Sequence, residues 1–160
     1  MRYVAILALL AAACHGPLDV RNEAAGDPSA PSWVHDPQLA ERTTVAADAA
    51  ARVWGGSSSD LDGWTVVYVA HLIDINSIGK TTGVPILGGG TIEVDVLVAP
   101  CLEATSLAHE VGHVIIGDGD HNDSRWRSPA FNARMVSALL DGVPARDDAC
   151  RLRLTTGSIL

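Results

Sequence analysis

The stretch Ser106–His121, "SLAHEVGHVIIGDGDH", holds three of the chain's six histidines: His109, His113 and His121. Residues 102–116 are good helix material, and Gly117 is placed to end the helix. Helical positions four apart share one face, so His109 and His113 present their imidazoles to the same point. Two such nitrogens can bind one zinc ion at about 2.0–2.1 Å. Glu110 follows His109 and lies about 100° round the helix. It is not aimed straight at the metal, but its length lets it reach a water bound there, as a general base must.

The segment His109-Glu110-Val111-Gly112-His113 resembles the H-E-x-x-H helix of zincin metallopeptidases. The resemblance covers the active-site helix and the residues after it. It implies an α+β zincin-like domain, a small twisted mixed sheet with an active-site helix and flanking helices. It also implies Zn2+ as cofactor, His109 and His113 as ligands and Glu110 as the catalytic base of peptide-bond hydrolysis. The third ligand departs from the metzincin pattern. There a glycine and a histidine come three and six residues after the second histidine, whereas here Gly117 and His121 come four and eight after His113. The turn-forming run Gly117–His121 can still reverse the chain, so His121 is the favoured third ligand. Asp118 and Asp120 are alternatives, as are later acids in the gluzincin manner: Asp141, Asp147 or Asp148. A calcium site is disfavoured because "GDGDH" lacks the EF-hand spacing. Metzincins also place a methionine in a turn beneath the zinc. The one candidate here, Met135, falls in a helical pattern and reads as core, as His35 and His71 read as structural.

Outward from this stretch the pattern alternates helix and strand. "HDPQLAERTTVAADAAARVWGG" reads as a helix with Asp36 as N-cap, Pro37 at the first position and Gly55-Gly56 as the stop. "GWTVVYVAHLIDI", residues 63–75, is β-branched and aromatic and reads as a buried strand. A glycine-punctuated connection follows, with a short strand expected around 84–87. "TIEVDVLVAP" alternates, with Ile92, Val94, Val96 and Val98 on one side and Glu93 and Asp95 on the other, and ends at Pro100. After the histidine stretch, Ser128, Pro129 and Gly142 bracket a last helix with Phe131, Met135, Val136, Leu139 and Leu140 on its apolar face.

The chain has 160 residues, of which 48% are apolar and 19% charged, with a net charge of −8. That length suits one domain with a real core. One lysine, ten arginines and no basic run argue against nucleic acid as a partner. Residues 1–13 read as a signal peptide: Arg2, then an apolar run from Val4 to Ala13 too short to span a bilayer. "LAAAC" resembles the lipobox of bacterial lipoproteins, with Cys14 as the lipidated residue. It departs at Ala11, where leucine is usual, and Leu10 sits one place early. Export to a bacterial cell envelope with a lipid anchor is the expectation, and simple secretion the alternative. Residues 14–32, rich in Pro, Gly, Ala and Asp, read as a flexible tether. Residues 33–160 form the domain, expected as a monomer acting on a peptide or protein substrate. In an oxidising compartment Cys101 and Cys150 are the pair left to bridge, and closing that loop stabilises by roughly 4 kcal/mol. A second function class is a catalytically idle zinc-binding envelope lipoprotein that serves as a binding module. Glu110 discriminates against it, because a purely structural site needs no glutamate there.

Overall fold

The computed structural model describes residues 16–72, 79–84, 88–96 and 103–142. They form a mixed α/β domain of three α-helices on a four-stranded mixed sheet. The strands are β1 (Asp19–Asn22), β2 (Trp64–Val69), β3 (Gly79–Val84) and β4 (Gly89–Asp95). Their spatial order is β1-β2-β4-β3. The first three neighbours run parallel, and β3 closes the edge antiparallel to β4. The helices are α1 (Leu39–Trp54), α2 (Glu103–Ile116) and α3 (Pro129–Gly142).

The strand period separates the two faces of the sheet. Trp64, Val66 and Tyr68 of β2 and Ile92 and Val94 of β4 are buried with the helices. In register on the opposite face, Thr65, Thr91, Glu93, Thr82 and Lys80 are half-buried or exposed. The Tyr68 hydroxyl meets Thr43 Oγ1 of α1 at 2.7 Å, tying sheet to helix. α1 is alanine-rich where it is buried, at Ala46, Ala47, Ala49, Ala50 and Ala51, so α2 and α3 both pack closely on it. It ends at Gly55, whose φ of 95° suits the left-handed turn that glycine supplies at a helix C-terminus. α3 follows its sequence signals from Pro129 to Gly142 and buries Phe131, Met135 and Leu139.

Two expectations need correction. The tether expected over residues 14–32 instead supplies β1, and Ala24 and Val34 behind it are fully buried. Asn22 fastens this segment, its side-chain amide donating to the Val34 carbonyl and accepting from Ala25 N–H. A four-residue edge strand is too short to show a period, so its composition read as linker. α1 starts at Leu39 and not at Pro37. Asp36 caps a turn before it, accepting from Gln38 N–H at 2.9 Å through its side chain and from Leu39 N–H through its carbonyl. β3 itself, Gly79–Val84, lies inside what reads as a glycine-rich connection, and the strand expected around 84–87 falls, apart from Val84, outside the described residues. Cys14, Cys101 and Cys150 also lie outside them, as do Asp147 and Asp148. Among the described residues no helix is long and apolar enough to cross a membrane.

Candidate metal centre

α2 carries His109 and His113 one turn apart, and the segment after Gly117 returns His121 to them. His121 is the one non-glycine residue with positive φ among those described, at 57°. This left-handed backbone folds the chain back just past the helix. His109 Nε2 then lies 3.0 Å from His121 Nε2 and 3.3 Å from His113 Nε2. All three ligand atoms fall within 4.8 Å of one another. Bonds of 2.0–2.1 Å at tetrahedral angles set neighbouring nitrogens about 3.3 Å apart, so the two separations from His109 suit a shared ion.

The protonation pattern points the same way. His113 Nδ1 lies 2.6 Å from the Asp118 carbonyl oxygen, which can only accept, so Nδ1 carries the proton. In the neutral ring Nε2 is then the lone-pair nitrogen, and it faces His109, the arrangement a histidine ligand needs. Burial, then the neighbouring His113 and His121, hold His109 down to about 4, so it is neutral near pH 7. Burial and His113 also lower His121, against the opposing pull of Asp118 and Asp120. Metal ligands must be deprotonated, and burial favours that form in His109 and His121.

The aspartates organise the turn and do not join the ligand group, which among the described residues is His109, His113 and His121. Asp118 accepts from Asp120 N–H through Oδ1 and from Asp123 N–H through Oδ2. The Asp123 amide chiefly holds its carboxyl below the usual carboxylate range. Its carboxylate thus shapes the turn, and its carbonyl orients His113. Asp123 pairs with Arg125 at 2.7 Å, and Arg125 donates to the Trp54 carbonyl at the end of α1, which clamps the turn to the helix layer. Asp141 is exposed on α3 near Ser137, and His35 and His71 are exposed outside the histidine group.

Glu110 is buried at 5% exposure and lines the same cleft as the three histidines. Its carboxylate accepts from Thr81 Oγ1 of β3 at 2.7 Å. Burial pushes its carboxyl up, while the Thr81 hydrogen bond and His113 pull it down. Gly79 of β3 lies directly over it: a Cβ there would fall 2.8 Å from Glu110 Cγ and Oε1. The cleft, about 360 Å³, runs between β3 and α2.

No protein-family model, curated protein or solved structure matches this chain.

Its site is therefore read from its own residues, and three of these are invisible to motif reasoning. Thr81 and Gly79 sit in a strand without apolar alternation. Trp126 lies in a polar turn, yet its ring centroid is 4.8, 4.7 and 4.6 Å from those of His109, His113 and His121. An isolated tryptophan among Ser, Arg and Asp, five residues after His121, was the available signal. Met135 is fully buried in α3 and belongs to the core.

Proposed function

We propose that this chain is a zinc-dependent peptide hydrolase with a zincin-like domain, in which His109, His113 and His121 hold the metal and Glu110 is the general base. The observation that carries the reading is Glu110: a buried carboxylate, steered by Thr81 and Gly79, opening on the same cleft as three converging imidazoles. A structural metal site has no use for such a group. All-nitrogen donation from three histidines suits zinc and leaves a coordination position open, the pattern of catalytic sites. A zinc ion held there supplies Lewis acidity, polarising the scissile carbonyl and drawing the pKa of a water toward 7. Glu110 accepts the proton of the attacking water as its oxygen adds to the carbonyl carbon. The same carboxyl then delivers that proton to the amine nitrogen as the C–N bond breaks. Burial raises its pKa, the direction that makes a carboxylate a better proton acceptor.

A peptide substrate is favoured by the position of β3. It is the edge of the sheet and borders the cleft, so its outer backbone groups can pair with an extended chain. The signal-like N-terminus, Cys14 and the Cys101–Cys150 pair further support a lipid-anchored protein of an oxidising envelope. Glu110→Gln tests the mechanism: the variant keeps zinc at wild-type stoichiometry and loses hydrolysis of a mixed peptide pool. Zinc loss overturns the role given to Glu110, and undiminished hydrolysis overturns the mechanism.

A further inference from the structure

We propose that Trp126 is the positioning residue of the metal centre: its indole holds the three imidazoles converged and stabilises the positive charge they acquire on binding a dication. The inference rests on the metal-centre reading and extends it to a residue that supplies no ligand atom.

The geometry singles Trp126 out. It is 5% exposed, and it alone meets all three histidine rings among the described aromatic contacts. The rings of His109 and His113 are tilted to it by 51° and 33°, while His121 stands nearly perpendicular at 82°. The indole is itself fixed. It sits in the short 3-10 turn Ser124–Arg127, which Asp123 caps by accepting from Arg125 N–H. It also packs on Trp54 at 4.4 Å. Gly112, between the two ligand histidines of α2, makes the space: a Cβ there would lie 2.7 Å from Trp126 Cη2. The glycine inside the H-E-x-x-H segment thus admits the indole against the ligand-bearing helix.

Two physical effects follow. Three imidazoles that already converge lose little rotamer freedom when an ion arrives. Coordination also draws electron density from the rings, leaving each partly cationic within 6 Å of an electron-rich aromatic system, where cation–π attraction acts. The second effect is absent from the metal-free protein, so it favours the loaded state specifically.

The test measures zinc affinity of the purified chain by competition with a chromophoric chelator, beside the stability of each metal-free variant. Trp126→Leu should lower zinc affinity by about tenfold or more and Trp126→Phe by less, in line with losing or weakening a desolvated cation–π contact. Phe131→Leu is the control for a loosened core: Phe131 meets Trp54 at 4.4 Å, and its variant should keep wild-type affinity. Uniform fluorotryptophan, which drains the π face with little change of shape, should weaken zinc binding in the wild type and have no effect in Trp126→Phe. Equal affinity losses in Trp126→Leu and Phe131→Leu, or no effect of fluorination on the wild type, overturn the proposal. A wild type that binds no zinc overturns the metal centre itself, and this inference with it.

Discussion

Replacing Gly112 by alanine should destabilise the metal-free protein by about 2 kcal/mol, although alanine is the better helix former by about 1 kcal/mol. The reason is contact. A Cβ at residue 112 would sit 2.6 Å from Trp54 Cε2 and Cζ2 and 2.7 Å from Trp126 Cη2. Carbon atoms rest about 3.5–4.0 Å apart, so both indoles must recede by roughly 1 Å. Neither is free to do so. Trp54 is 1% exposed, and its Nε1–H donates to the Ala108 carbonyl of α2 itself at 2.8 Å. Moving α2 away from α1 opens gaps along the alanine seam instead. Overpacking of this kind costs about 1–3 kcal/mol, and a strained or broken buried hydrogen bond adds about 1. Set against the helix-propensity gain, the net loss is near 2 kcal/mol, which lowers the melting temperature by about 4–8 °C in a domain of this size. Urea denaturation of metal-free wild type and variant measures it. The double variant Gly112→Ala with Trp54→Phe should be more stable than the two single losses summed, because the smaller ring relieves the clash. A Gly112→Ala protein as stable as the wild type, or more so, refutes the packing account.

Other consequences separate catalysis from stability. In Gly79→Ala the atoms nearest the new methyl all belong to the Glu110 side chain, which can shift, so the fold and zinc affinity should persist. Hydrolysis should fall about 100-fold, as expected when a reacting group is displaced by about 1 Å; full activity would show that Gly79 does not set the base. For pH, the sign follows from His109, which is near 4 in the folded metal-free protein against 6.5 as its ordinary value. The unfolded chain takes up that proton first, so metal-free stability should fall as pH drops from 6.5 toward 4 and change little from this source above 6.5. The loss is at most about 3 kcal/mol, less the screening at the ring's solvent-facing edge. Urea midpoints across this range should show a shallower slope in His109→Phe, and an unchanged slope would remove His109 as the source.

How much of this was legible in the sequence depended on whether a residue's role repeats along the chain. α2 and α3 were legible because helix period and stop signals coincide, at Gly117 for one and at Ser128, Pro129 and Gly142 for the other. The pairing of His109 with His113 follows from the helix alone. His121 required a turn whose closure rests on one left-handed residue and on Asp118, details no spacing rule contains. The central strands β2 and β4 were legible from their apolar runs. The edge strands β1 and β3 were not. β1 is four residues long, and β3 turns Gly79 and Thr81 toward a carboxylate, so neither shows the alternation that marks a core-facing strand. Trp126 was illegible because it sits in a polar turn with no apolar period, while the rings it meets lie on α1, α2 and the turn before it.

The central claim is that three histidines make one metal site, and zinc titration against a competing chelator tests it most directly. The wild type should bind one zinc per chain, and His113→Ala should bind almost none. His121→Ala should lose more than the 10–100-fold expected of Asp118→Ala, which disturbs only the residue orienting a ligand. A wild type without stoichiometric zinc, or a His121→Ala protein that binds like the wild type while an aspartate variant fails, would contradict it.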